Sequence, residues 1–366
     1  MTKVFHIVSR FDVGGAERVA INIARCKDCS VEQHIVELQR GQSDFTKSIV
    51  EELKSEGIRY HRSLIPVKWH LGYYVDRLVS LLFPIRFLLL WLRYHPDVVH
   101  THTEMPDMAV WWSLRIFPFI KIKVVRSIHN TTLWTGMDII GPQVENFMQK
   151  RKANVAISLG VAEAYFKKYN ESVPIIYNGV EVPDAPNNKR RQSPPIHVLF
   201  AGRFEQQKGI DVLCEIICRL QDDKRYVFHV HGSGRLENFV KMKLKGLVNV
   251  ELGKPIENLA NKMSDYDYIL MPSLHEGLSI VAIEASMNGL PLLINDCLGL
   301  SDTLPEAWPL KVKGNDIGQW MALFEEILPH VDRQNLVEDA RNFAQERFSI
   351  ERMQSEYIRM YKIHRE

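Results

Sequence analysis

Pro272-Ser-Leu-His-Glu-Gly-Leu-Ser-Ile-Val-Ala-Ile-Glu-Ala-Ser-Met-Asn-Gly-Leu-Pro291 is the stretch that decides how this chain folds. Tyr268 to Met271, just before it, is a short apolar run that reads as a strand, and Leu292 to Ile294 reads as another. Between them a loop leads into a helix whose first turn Ser279 can cap. Asn288-Gly289 ends that helix and Pro291 prevents its continuation. Glu276 lies in the loop, and Glu284 lies in the helix between Ile283 and Ala285. A carboxylate among apolar helix residues is costly to bury unless it is paired or hydrogen-bonded. Glu284 is therefore expected to face a cleft at the C-terminal edge of a parallel sheet, where open α/β folds bind ligands. The bland alternative is two solvated helix charges, and the flanking strands and turn weigh against it.

The stretch resembles the E-x7-E signature of retaining glycosyltransferases of family 4. That resemblance implies the α/β fold called GT-B: two Rossmann-like domains facing each other across a cleft, with a C-terminal helix returning to the first. It implies that Glu276, beside Gly277 and Leu278, contacts hydroxyls of the donor sugar. It implies that Glu284 holds the ribose of the nucleotide.

Length and composition agree with two domains. The chain has 366 residues, and 46% of them are hydrophobic, enough for two cores. A formal charge of +2 makes no demand for nucleic acid. Five cysteines, an odd number in a long chain, argue for a reducing compartment rather than a disulfide framework. Cys26/Cys29 and Cys214/Cys218 offer a conceivable zinc site, against which ordinary core or surface thiols weigh. The N-terminus enters a strand directly, without the pattern of a signal peptide. A cytoplasmic location is therefore expected, with the inner face of the cell membrane as one place within it.

Lys3 to Ser9 reads as the first strand, Glu32 to Leu38 as the second and Gly57 to His61 as the third. After the first comes Gly14-Gly15-Ala-Glu and a helix with apolar Ala16, Val19, Ala20 and Ile23. Two glycines at a helix N-terminus let the backbone approach an anion, although a tight turn explains them as well. In the resembled family this element lies near the donor diphosphate and the acceptor. It is not a dinucleotide fingerprint, and no acidic ribose ligand is evident at the end of the second strand.

Leu78 to Leu92 is the most hydrophobic run. It is short for a membrane span and carries Pro84 and Arg86 in its middle. Two readings stand: a kinked helix packed on the sheet, which is favoured, and a helix lying in a membrane interface between Arg77, Arg93, Tyr73 and Tyr74. Trp111, Trp112 and the stretch from Phe117 add further apolar and basic surface, so peripheral membrane contact is an expectation. Pro96-Asp-Val-Val-His-Thr-His reads as a strand with His100 and His102 on one face. A metal there would need a third ligand that the sequence does not identify. Val124 to Asn130 is another strand, and His129 matches the family histidine near the reacting centre; a hydrogen-bonded strand-end histidine is the alternative. Asn178-Gly179-Val180 closes the first domain (1–180), and residues 181–195 are a linker by composition.

The second domain (196–345) opens with a strand from Ile196 to Ala201 and the loop Gly202-Arg-Phe-Glu-Gln-Gln-Lys-Gly. Arg203 and Lys208 place a guanidinium fork and an ammonium at a helix N-terminus, a good phosphate clamp. In the resembled family this Arg and Lys hold the donor diphosphate. His231-Gly232-Ser-Gly matches a family turn lining the nucleotide pocket. Of the usual paired-glycine loop near residue 300 only Gly299 remains. Residues 346–366 are expected to form the returning helix.

These readings converge on retaining transfer of a sugar from a nucleotide-diphosphate sugar to a glycan or lipid-linked glycan, in surface polysaccharide assembly. Glu276, His129, Arg203 and Lys208 are the candidate catalytic groups. Gly14, Gly15, Arg203, Lys208, Gly232, Glu276, Gly277, Leu278 and Glu284 are the candidate donor ligands. No cofactor and no metal are expected. Two other classes stand beside this one: a nucleotide-sugar epimerase of the same architecture, and an inactive sugar-binding scaffold.

Overall fold

The computed structural model describes residues 1–10, 15–41, 44–65, 72–181 and 195–362, with only the backbone at 44–45 and 72–81. It contains two compact units, Met1–Gly179 with Ile350–Glu366, and Val180–Ser349. The first holds strands β1 (Thr2–Val8), β2 (Val31–Glu37), β3 (Arg59–His61), β4 (Val98–Thr101), β5 (Lys123–Ile128) and β6 (Asn154–Ala156). Its helices are α1 (Gly15–Ala24), α2 (Asp44–Ser55), α3 (Gly72–Tyr94), α4 (Glu104–Ile116), α5 (Gly141–Lys150) and α6 (Leu159–Tyr169). The second holds β7 (Ile196–Arg203), β8 (Tyr226–Ser233), β9 (Val250–Gly253), β10 (Tyr268–Met271), β11 (Leu292–Asn295) and β12 (Lys311–Val312). With them come α7 (Ile210–Arg219), α8 (Glu237–Lys243), α9 (Ile280–Met287), α10 (Ile317–Ala322) and α11 (Arg333–Phe348); α12 (Ile350–Lys362) belongs to the first unit.

Each unit is a six-stranded sheet, ordered β3-β2-β1-β4-β5-β6 and β12-β11-β10-β7-β8-β9, with every described strand pair parallel. These are two Rossmann-like domains. A parallel sheet covered on both faces wants strands that are apolar throughout, and β10 and β11 are buried at every position. Both orders reverse at the pair formed by the unit's first and fourth strands, β1/β4 and β7/β10. Such a reversal opens a crevice at the carboxyl ends of those strands.

The returning helix starts later than the sequence suggested. Ser349 is extended, with φ −70° and ψ 147°, and it bridges to Val180. That break separates α11 from α12. Met353, Tyr357, Ile358 and Tyr361 of α12 are buried with Val4, Val19 and Ile23 of the first unit. Before β10 the chain forms a 3₁₀ helix, Leu259–Asp265. Residues 182–194 of the expected linker lie outside the described residues.

The apolar run is one helix, α3, with Pro84 inside it. Phe83, Pro84 and Phe87 are buried, so the helix packs on the domain, while its other side is exposed. Side chains before Leu82, including Tyr73, Tyr74 and Arg77, lie outside the described residues. Among the described residues no helix is long and apolar enough to cross a membrane.

Candidate active site

The second unit gathers its charged groups at the β7/β10 reversal. Arg203 ends β7, and a 3₁₀ turn, Gln206–Lys208, leads through Gly209 into α7. Gly209 has φ +66°, and a Cβ there would meet the Pro272 carbonyl oxygen at 1.9 Å. Only glycine lets this loop press onto the end of β10. Two hydrogen bonds complete the join: Leu274 N to Gln207 O at 2.8 Å, and Gln207 Nε2 to His275 O at 3.0 Å. The result brings Lys208 Nζ to 2.6 Å from Glu276 Oε1, across 68 positions of sequence. Ser273 Oγ donates to the same oxygen at 2.8 Å. Glu276 is buried and Lys208 nearly so. The sequence reading placed these two on different parts of a donor; in this structure they contact each other. Arg203 is exposed, and among the described residues its guanidinium takes no partner.

A second layer fixes the loop that carries Glu276. Asn295 Nδ2 donates to Ser273 O at 2.9 Å, Asn315 Nδ2 to Pro272 O at 2.8 Å, and Trp320 Nε1 to Asn315 Oδ1 at 3.2 Å. Gly299, at φ +78°, lies so close that a Cβ would stand 2.1 Å from the Glu276 carbonyl oxygen. The lone glycine left from the paired-glycine loop is thus a seat for Glu276. Ser279 caps α9, its hydroxyl accepting from Ala282 N, and Asn288 closes the helix. Glu284 is half-buried on α9 and engaged with a neighbour. Gly277 is half-buried and Leu278 buried. Gly232 sits against β7, where a Cβ would meet Gly202 O at 2.1 Å.

At the matching edge of the first unit hydroxyls and a histidine stand beside charged groups, Glu104 and the Asp107–Arg126 pair. Ser9 Oγ and Thr103 Oγ1 hydrogen-bond at 2.9 Å across β1/β4. Gly15 opens α1, with nothing within 4 Å of an added Cβ; Gly14 lies outside the described residues. His129 follows β5, and burial lowers its pKa to about 4, so it is neutral above that pH. Its Nε2 is shielded and has no partner among the described residues. His129 lines a small cleft with Thr103, Glu104, Asp107, Arg126, Ser127 and Asn130. Asp107 pairs with Arg126 at 2.7 Å, yet burial still pushes its carboxyl up to about 7. The sequence reading named neither.

His100 and His102 do have a third histidine beside them, His6, brought in from β1. The three are held by hydrogen bonds. His6 contacts Gln33 Oε1 at 2.8 Å and His102 Nε2 at 3.1 Å, while His100 contacts Tyr361 OH at 2.7 Å and Ser127 Oγ at 2.8 Å. Both ring nitrogens of His6 and of His100 are thereby engaged, which leaves few lone pairs for an ion. An acidic residue also does end the second strand: Glu37 closes β2, buried, accepting from Ser63 N at 2.8 Å. It is committed to holding the next loop. All five cysteines are free thiols.

The sequence matches the model described as Glycosyltransferase Family 4 over residues 13–184 and that described as Glycosyl transferases group 1 over residues 195–329. The chain is a family 4 glycosyltransferase. The epimerase and the inactive scaffold give way to that assignment. The Staphylococcus aureus capsular polysaccharide biosynthesis glycosyltransferase CapH is 25% identical over 84% of this chain and 82% of its own. The transferase fold is shared with a glycosyltransferase from Rickettsia africae, at TM-score 0.77 and 18% identity, over 99% of this chain and 98% of that one. It is shared equally with Anabaena HepE, solved with UDP and glucose, at TM-score 0.74 and 15% identity over 100% of both chains. These neighbours carry the GT-B architecture of two Rossmann-like domains.

Proposed function

We propose that this transferase moves a sugar, with retention of configuration, from a nucleotide-diphosphate sugar to a hydroxyl of a glycan or lipid-linked glycan in surface polysaccharide assembly. The observation that carries the reading is the contact of Lys208 with Glu276 at the β7/β10 reversal, with Arg203 at the same edge. Cations and a carboxylate within one loop pair suit a ligand whose phosphate and hydroxyl groups lie close together, as in a nucleotide-diphosphate sugar. The complex of HepE with UDP and glucose and the capsular role in the name of CapH support the donor class and the setting.

In this reading Arg203 and Lys208 stabilise the charge that grows on the leaving phosphate as the glycosidic bond breaks. Glu276 orients the sugar hydroxyls and Glu284 the ribose. The acceptor hydroxyl attacks from the face the diphosphate leaves, and its proton passes to the departing phosphate oxygen, so no covalent protein intermediate forms. The resemblance adds His129 near the sugar, and the apolar, partly basic sequence from Leu78 to Leu92 and at Trp111, Trp112 and Phe117 adds peripheral contact with a membrane. A thermal-shift screen across nucleotide sugars would identify the donor, followed by NMR of the product. A product of inverted anomeric configuration would overturn retention. No stabilisation of the wild-type protein by any nucleotide or nucleotide sugar would overturn the donor class.

A further inference from the structure

Helix α3 is apolar on both sides. Phe83, Pro84 and Phe87 face the domain, and the opposite side shows Leu82, Ile85, Leu89 and Leu92, each 50–66% exposed. Their spacing of three and four residues places them in one stripe along the helix. A helix that is apolar all round is normally covered all round, and the first unit covers only half of this one. The stripe also escapes the one charge in its sequence. Arg86 turns inward, donating to the carbonyl of Glu37 and, at 2.7 Å, to that of His61 at the ends of β2 and β3. It closes strand ends, and the outward face stays free of charge.

The face continues beyond the helix. Trp91 packs against Phe119 with ring centroids 6.1 Å apart, and Phe119 and Ile116 are themselves exposed. The exposed basic residues nearest to these in sequence are Arg93, Arg115 and Lys121, and Asp97 is the exposed acid there. Among the described acidic side chains of this region, Asp107 is buried against Arg126, Asp97 accepts from the backbone of Lys3 at 2.9 Å, and Glu104 stands about three turns from Arg115 along α4. An exposed apolar patch with a mainly basic rim is an interaction surface. Basic residues around buried leucine and aromatic side chains match the headgroup and acyl layers of an anionic bilayer.

We propose that this face, Leu82, Ile85, Leu89 and Leu92 with Ile116 and Phe119, seats the protein on an anionic lipid surface. The inference names the face behind the peripheral contact stated above. Its test needs no turnover, so its failure leaves the transfer reaction untouched.

The test is flotation of the intact protein with vesicles of phosphatidylglycerol and phosphatidylcholine in equal parts, and with phosphatidylcholine alone. Wild type floats with the anionic vesicles, and salt releases it. Ile85→Glu/Leu89→Glu stays at the bottom of the gradient. Arg115→Glu/Lys121→Glu loses at least about 25-fold in partitioning, since each basic residue at such a surface is worth about fivefold. All four positions are exposed, so both variants keep the wild-type thermal transition; the Arg115 and Lys121 pair serves alone if the apolar pair unfolds. Wild type that ignores the anionic vesicles overturns the proposal, as does flotation unchanged by either variant. Equal flotation on phosphatidylcholine alone also overturns it, because the face then does not select an anionic surface. A dimer in sedimentation equilibrium that Ile85→Glu/Leu89→Glu dissociates, without flotation, shows that a second copy covers the face and that the lipid proposal is wrong.

Discussion

Lys208 and Glu276 provide the sharpest test of how the second unit is built. Glu276 is 7% exposed, and its Oε1 has two donors, Lys208 Nζ and Ser273 Oγ. Lys208→Met keeps the aliphatic stem but leaves the carboxylate with a single hydroxyl. Stranding a fully buried partner costs about 3–5 kcal/mol; the Lys208 side chain is 18% exposed, and water offsets part of the loss, so about 1–3 kcal/mol is expected. Glu276→Gln alone also destabilises, because Lys208 then faces a neutral amide. On the Lys208→Met background the sign reverses: Glu276→Gln there removes the stranded charge, so Lys208→Met/Glu276→Gln is more stable than Lys208→Met. Urea unfolding of the four proteins, followed by amide exchange in peptides from β10 and α9, reads the second unit alone. Glu276→Gln destabilising both backgrounds equally, within about 0.5 kcal/mol, would refute the coupling.

Removing Arg203 or Lys208 is expected to lower turnover by about 10²–10³, the range for one preorganised charge-stabilising group, with the double variant less than multiplicative because the proposed roles converge on one diphosphate; near-normal single mutants would exclude these residues. Two fixed cations on one loop also predict full activity in excess EDTA, and a loss restored by Mg²⁺ would contradict that. Glu284→Ala should weaken nucleoside diphosphate binding by about 1.5–3 kcal/mol, read by calorimetry, whereas Glu276→Gln should reduce turnover more than affinity. The first unit should lose stability in acid. Burial lowers the His6 pKa to about 4 and those of His100 and His102 well below 6.5. The unfolded chain binds these protons near 6.5 and the folded chain does not, so stability present above 6.5 is lost as pH falls toward 4. His6 alone costs about 2 kcal/mol between about pH 7 and 5. Asp107, raised to about 7, works in the opposite direction and offsets roughly one histidine. A urea midpoint constant over that range would refute the account.

What the sequence reveals depends on the distance along the chain that a signal spans. Ser279, Glu284, Asn288 and Pro291 lie within one loop and helix, and the structure caps and closes α9 where their order indicates. Strand β10 is read without error because a buried parallel strand is an unbroken apolar run. The contacts that no local pattern announces join distant strands: Lys208 to Glu276 across 68 positions, and His6 to His102 across 96. Sheet order decides such pairs, and a single sequence does not display sheet order. The inward turn of Arg86 is illegible for a related reason. In a helix with two apolar faces, periodicity cannot say which side meets the domain, so an arginine in the middle reads as an interruption of the exposed side.

In the proposed reading the two reversals divide the donor from the acceptor, and their side chains give that division a test. At β7/β10 the groups are ionic: an exposed guanidinium, and an ammonium held against a carboxylate. At β1/β4 they are the hydroxyls of Ser9 and Thr103 and, beyond β5, a neutral His129, with Glu104 and the Asp107–Arg126 pair lining the same cleft. A diphosphate brings formal charge and is bound best by fixed cations and helix amides. A glycan hydroxyl brings none, and a full charge facing it would have to be desolvated without a counter-charge in return. In the proposed reading the ionic edge of the second unit suits the donor, and the hydroxyls of Ser9 and Thr103 with the neutral His129 suit an uncharged acceptor. His129→Lys, which puts a cation at the first unit's edge, should weaken use of a neutral acceptor while leaving nucleoside diphosphate affinity within about twofold, a shift well under the 1.4 kcal/mol of a tenfold change. A fall in diphosphate affinity as large as the fall in turnover would show that the two edges do not divide the substrates in this way.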